Sequence, residues 1–423
     1  MSYKHQFLIT ALLVLATLLV MSFIYKIPFS TDDFSWISAR NEGRVQFLDD
    51  YFFRLPVWKA LHHILFPLYL SQSWLVKFLF WTLGWYGILF PLVWFLKKFG
   101  LNWGLAPFLA GLVFFAPNQY EITFLVYSLP YCIGFFLCGS GFWVMRMKRR
   151  WIGTILYLLS FLTLESFIVV TILLEVSVAE DRLPLKKTIK IKLVALASLF
   201  LLYGGIRLGL QWLNPYHYDI LVHLQFSQIR GFFYSCFLIG FYKLNGFLSL
   251  LQLLLYVAVI YLLFKISKTK HLTGIAMRAL IILTVLCGAS SYYFILKYSA
   301  RRALAGQISF VYGVYIIACL AFLSKLKIRS FVKIALFLLF ISPQMINQTH
   351  IFRTKQYNYH LMNSIISETQ RLLADRNQTV IIHPDQIKKK FKRDWVFANV
   401  QDIELLYKTR LSPQEYRRLI FMQ

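Results

Sequence analysis

Two adjacent carboxylates, Asp32 and Asp33, stand in the run Ser30-Thr31-Asp32-Asp33-Phe34-Ser35-Trp36, directly after a long apolar segment. Only 18 of 423 residues are acidic, so a pair side by side at an apolar boundary asks for a reason. One reason is local, an Asp side chain capping a short helix that begins at Phe34. The other is chemical: a partly desolvated carboxylate can take the proton of an acceptor hydroxyl during group transfer. Cations form the second set. Lys297, Arg301 and Arg302 lie between two apolar segments, and Arg54 sits in Tyr51-Phe52-Phe53-Arg54-Leu55-Pro56. A guanidinium can hold a phosphate with two parallel hydrogen bonds; lipid phosphates at the bilayer surface would satisfy the same cations. Glu121 follows Pro117-Asn118-Gln119-Tyr120, and Glu165 has apolar flanks on both sides, which marks it as a functional or paired group. His62 and His63 are expected to face lipid headgroups, with no third ligand in view for a metal. Glu175 and Glu180 read as salt-bridge partners of nearby basic clusters.

What must position these groups is a set of helices in lipid. The chain is 58% apolar, 18% aromatic and 15% charged, more apolar than a soluble core requires. Its apolar stretches are long and uncharged, the length that lets an α-helix satisfy its own backbone across hydrocarbon, whereas a barrel would show short alternating segments. The expected fold class is all-α polytopic, with about eleven transmembrane helices over 6–25, 73–97, 101–116, 122–145, 151–164, 165–179, 191–212, 243–265, 276–296, 303–323 and 329–347. The fifth and sixth form a short pair turning near Glu165. The first span is too long for a signal-peptide core and is read as uncleaved.

The formal charge of +27 does not point to nucleic acid, because the basic clusters lie at helix junctions. Placing Lys97–Lys98, Arg146–Arg150, Arg182–Lys192, Lys265–Lys270 and Lys325–Lys333 on one side satisfies the positive-inside rule. The amino terminus is then cytoplasmic and the tail outside, in what is expected to be a bacterial inner membrane. The transmembrane domain covers 1–347 and a small extracytoplasmic tail 348–423. Val57–Leu70 suits an interfacial helix, Tyr359–Ala374 a helix, and Thr379–His383 a short strand. The five cysteines fall within or beside apolar stretches and suggest no disulfide framework.

This order of parts resembles the GT-C superfamily of integral-membrane glycosyltransferases. The matching pieces are Asp32-Asp33 after the first span and Phe53-Arg54-Leu55-Pro56 before an interfacial helix. They continue with Glu121 and Leu129-Pro130-Tyr131, then Leu164-Glu165-Ser166, and then Tyr298-Ser299-Ala300-Arg301-Arg302 before a late span. The resemblance implies transfer of a sugar from a polyprenyl-phosphate donor to a glycan, lipid or protein acceptor of the cell envelope, such as lipopolysaccharide. Asp32 or Asp33 would be the base in an inverting attack. Arg301, Arg302 and Arg54 would hold the donor phosphate, with Glu121, Glu165 and Tyr131 near the sugar or acceptor. Some members need a divalent cation, Mg or Mn, near the acidic motif, and this sequence leaves that open. The tail is shorter than the soluble domain of many relatives. Other readings are a lipid-linked oligosaccharide polymerase or ligase, and a lipid or sugar transporter or flippase.

Overall fold

The structure is a computed structural model that describes residues 2–25, 37, 56–70, 73–115, 129–164, 166–177, 185–213, 254, 258, 261, 305–375, 378–391 and 400–422. It is mainly helical. In chain order the helices are α1 (Tyr3–Ile24), α2 (Pro56–Leu70), α3 (Trp74–Lys98), a 3-10 turn (Trp103–Leu105), α4 (Ala106–Phe114), α5 (Tyr131–Arg146), α6 (Arg150–Thr163), α7 (Ser166–Ser177), α8 (Leu185–Leu213), α9 (Ala305–Lys325) and α10 (Ser330–Leu373). The remainder is β1 (Val380–Ile382), α11 (Pro384–Lys390), α12 (Val400–Arg410), α13 (Pro413–Tyr416) and β2 (Leu419–Phe421).

Among the described residues, α1 and α3 are each long and apolar enough to cross a membrane, and the two halves of α10, Ser330–Pro343 and Gln348–Leu373, form a further candidate bent by 46°. Helix α1 is apolar all round. It buries Leu18 and Ser22 but turns Leu8, Leu12, Leu13, Val20 and Phe23 outward, a surface that water penalises and hydrocarbon does not. The expected span 101–116 is a 3-10 turn followed by a nine-residue helix, because Pro107 favours the first helical turn and breaks anything before it. Two spans were read over 151–179, and two helices stand there, α6 and α7, separated by extended backbone at Leu164. The spans read at 243–265 and 276–296 lie outside the described residues, three isolated positions excepted.

Contacts fix the directions. Gly84 meets Cys132, Gly87 meets Phe135 and Gly139, and Trp94 meets Phe142, so α3 and α5 run parallel. Gly153 meets Gly141 and Met145, and α6 runs back. Phe167 meets Gly134, Thr171 meets Cys138, and Glu175 meets Arg146, so α7 runs parallel to α5 again. Helix α1 is tied along its length to the segment before and within α4, through Gln6 with Asn102, Thr10 Oγ1 donating to Gly104 O at 2.8 Å, and Val14 beside Gly111. The bundle therefore has a Tyr25 end and an Arg146 end.

The α3–α5 crossing is backbone on backbone. A methyl added to Gly139 would lie 2.0 Å from Gly87 O, and one added to Gly87 would lie 2.1 Å from Phe135 O. Small residues allow such approach where lipid gives helices no hydrophobic reason to associate. Pro91 lies in α3 one turn beyond Gly87; it lacks the N–H that would bond Gly87 O, and its ring opposes that carbonyl.

The carboxy-terminal residues build a small α/β unit, with β1 and β2 parallel in the register Val380↔Leu419, Ile381↔Ile420, Ile382↔Phe421. The short strand read at 379–383 is β1; its partner β2 was not foreseen. Ile403, Leu406 and Tyr407 of α12 are buried in the unit, and Thr369 of α10 lies 3.3 Å from Tyr407 Oη. Ahead of β2, Ser412 and Glu415 form a capping box. Ser412 N donates to Glu415 Oε2 at 2.8 Å, and Glu415 N donates to Ser412 Oγ at 3.3 Å. The Ser412 backbone N–H holds the Glu415 carboxyl below the usual carboxylate range.

Two outcomes follow from this architecture. Gly139→Ala forces α3 and α5 apart and costs about 3 kcal/mol or more, while Gly313→Ala, whose new methyl comes no nearer than 3.9 Å to Leu92, is neutral or stabilises by up to about 1 kcal/mol; thermal unfolding in detergent distinguishes them. Because the Glu415 pKa is depressed on folding, its contribution is present above the ordinary carboxylate value of about 4.3 and is lost as pH falls through the lower folded value. Protection of the Leu419–Phe421 amides, judged from the exchange rate relative to the intrinsic rate at each pH, should therefore fall on acidification in the native chain, and the part owed to this carboxyl should vanish in Glu415→Gln.

Candidate functional site

At the Tyr25 end, the chain leaves α1 in extended backbone, with Tyr25 at φ −80° and ψ 125°. Tyr25 is wholly buried. Its carbonyl accepts a hydrogen bond of 2.6 Å from Lys77 Nζ, and its ring lies 4.7 Å from that of Phe352 and 6.3 Å from that of Trp81. One residue thus joins α1, α3 and α10. Lys77 is 2% exposed, in the first turn of a 25-residue apolar helix. An ammonium at such a place is expensive and marks function or a defined pairing.

Helix α2 supplies a second group at this end. Trp58 and His62, one turn apart, stack with ring centroids 4.7 Å apart and planes 11° from parallel, and Trp58 also stacks on Tyr131 at 6.2 Å. Lys59 and His62 are fully buried, and on α10, one turn beyond Phe352, Lys355 is 4% exposed with Asn358 buried beside it in sequence. Three lysines and an imidazole are thus packed into the end of the bundle that α1 leaves to enter the segment carrying Asp32, Asp33 and Arg54. Burial of that much positive charge calls for negative charge or carbonyl oxygen nearby, and Lys77 draws part of it from Tyr25 O. Chemically, lysines and aromatic rings gathered at one end of a helical bundle are groups that can meet an anion.

Of the residues singled out from the sequence, Tyr131 is described, 4% exposed and stacked on Trp58. Asp32, Asp33, Arg54, Glu121, Glu165, Arg301 and Arg302 lie outside the described residues. His62 corrects an expectation: it does not face headgroups, because its spacing from Trp58 puts it on the packed side of α2, whereas His63 is exposed. The two imidazoles point apart, and no group of three His, Cys, Asp or Glu converges among the described residues. Lys59, Lys77 and Lys355 were missed. The available signal is a lysine inside an apolar helix; Lys77 falls within the span expected at 73–97.

The opposite end is fastened by one acid. Arg146 Nη2 and Glu175 Oε2 pair at 2.8 Å, Tyr157 Oη donates to Glu175 Oε1 at 2.7 Å, and the Arg146 guanidinium lies 4.5 Å above the Phe142 ring. Glu175 is therefore the partner of the basic cluster that the sequence suggested. Through it α5, α6 and α7 are tied where α7 ends, which holds the Leu164 break at the Tyr131 end. Glu175→Gln should cost about 2–3 kcal/mol by leaving Arg146 without its counter-charge, and Arg146→Met with Glu175→Met should recover much of the loss, as read from unfolding temperature in detergent.

The chain matches no protein-family model, no curated protein and no solved structure.

Proposed function

We propose that this chain is a multi-pass membrane glycosyltransferase of the GT-C kind, moving a sugar from a polyprenyl-phosphate donor to a cell-envelope acceptor at the non-cytoplasmic face. The observation that carries the reading is the set of buried lysines at the Tyr25 end, Lys59, Lys77 and Lys355, with the His62 imidazole among them, beside the exit of α1 toward Asp32-Asp33. An active site for a phosphate-linked donor needs that conjunction: cations to meet a phosphate, and a carboxylate free to take a proton. The run of α1, α3, α5, α6 and α7 between two ends, with basic residues gathered at the Arg146 end, supports a path in which the amino terminus is cytoplasmic. About eleven spans would then leave the tail outside.

In the proposed reaction the carboxylate of Asp32 or Asp33 accepts the hydroxyl proton of the acceptor as its oxygen attacks the anomeric carbon. The bond from that carbon to the phosphate oxygen breaks, its electron pair stays on the phosphate, and configuration inverts. Arg301, Arg302 and Arg54, together with the buried lysines, stabilise the charge that grows on the leaving phosphate. Glu121 and Glu165 orient sugar hydroxyls or support the oxocarbenium character of the transition state. Tyr131, stacked on Trp58, forms part of the wall.

Membranes supplied with a polyprenyl-phosphate sugar and candidate acceptors test the proposal. Asp32→Asn or Asp33→Asn, whichever carries the base, should lower transfer by about 10²–10⁴-fold without loss of protein, and Lys77→Met should weaken donor use. Retained turnover in both Asp variants removes the base and with it the mechanism.

A further inference from the structure

Between α3, α5, α7 and α9 lies an apolar cavity of about 60 Å³, several times the space one water needs and so more than a packing void. Gly87, Pro91, Phe135, Gly139, Val170 and Gly313 are among its lining residues, and apart from backbone and the Cys138 thiol the lining is hydrocarbon. Two of the glycines are explained by packing, since Gly87 and Gly139 touch each other's helices. Gly313 is not. A methyl there would come no nearer than 3.9 Å to Leu92, so a better helix former would fit, and glycine in a helix costs stability without return. What glycine preserves at 313 is space.

The cavity reaches Phe95 and Leu174 toward the Arg146 end. Two and three residues beyond Phe95 stand Lys97 and Lys98, and Leu174 precedes Glu175, the partner of Arg146. At the same end Lys97, Lys148, Arg149, Arg150, Lys325, Lys327 and Arg329 are exposed. A hydrocarbon-lined cavity that runs toward the end where these cations gather, with Lys97 and Lys98 lying over the Trp103 and Trp94 rings, matches a ligand with an apolar chain and an anionic head. We propose that the cavity seats a short stretch of one acyl chain of an anionic phospholipid whose phosphate lies among Lys97, Lys98 and the Lys148–Arg150 turn. The site is separate from the Tyr25 end and does not depend on the transfer reaction proposed there.

The test uses the full chain in vesicles of phosphatidylcholine and phosphatidylglycerol carrying a trace of lipid with a photoreactive diazirine in its acyl chain. After irradiation, labelled residues are mapped by mass spectrometry. Diazirine-phosphatidylglycerol should label Phe135, Val170 or Ile317, and should do so about fivefold more than diazirine-phosphatidylcholine, the scale of one headgroup–lysine attraction. Gly313→Phe, which fills the cavity, should abolish that labelling while Leu12 and Leu13 on the outward face of α1 remain labelled. Lys97→Gln with Lys98→Gln should remove the preference for the anionic lipid. Labelling confined to outward faces, equal labelling by both headgroups in the unmutated protein, or stronger cavity labelling by a diazirine polyprenyl phosphate would overturn the assignment. The headgroup comparison needs no substitution, so the proposal stands or falls even if Gly313→Phe does not fold.

Discussion

The contact of Gly87 with Gly139 sets the geometry of the described bundle. Pro91 deprives Gly87 O of its partner in α3, and a carbonyl left bare in a low-dielectric interior costs on the order of 1–3 kcal/mol. Bringing the backbone of Gly139 against that oxygen shields it with a weakly polar Cα–H and lets two helix axes lie as close as side chains of any other type would forbid. The rest is hung from this crossing. Gly84 receives the Phe114 ring, Gly134 receives Phe167, and Gly141 receives Tyr157, so α4, α7 and α6 take their positions from gaps in the two central helices.

The polar chemistry is divided between the ends of that frame. One end has an ion pair, Arg146 with Glu175, joined by a tyrosine hydroxyl. The other end gathers buried cations around Tyr25 and Trp58. The two ends thus differ in kind, one closed by an acid and the other rich in buried lysine and aromatic rings.

Much of the frame was legible in the residues. The long apolar runs gave α1 and α3; charge placement required a reversal near Glu165, and the structure has one at Leu164; Glu175 had an obvious cationic neighbour within reach. The site was less legible because its side chains contradict their setting. Lys59 and His62 share the packed face of α2 with Trp58, so a search for apolar periodicity assigns them to the surface. Lys77 meets the carbonyl of a residue far earlier in the chain, and β2 pairs with a strand nearly forty positions away; neither pairing leaves a local signature. The acid and arginine pairs chosen from the sequence fall outside the described residues, and their placement rests on the chemistry argued for them.

Helix α10 does not stop where its apolar half ends. Beyond the 46° bend, the Gln348–Leu373 half continues as helix into the α/β unit, and at about 1.5 Å per residue it spans roughly 40 Å. A flexible tether of the same length would let the appendage wander through a hemisphere and dilute itself over that volume. A rod gives it instead one stand-off and one azimuth. Since Phe352 on that rod also packs against Tyr25, the height and heading of the appendage are set at the mouth of the bundle rather than by diffusion.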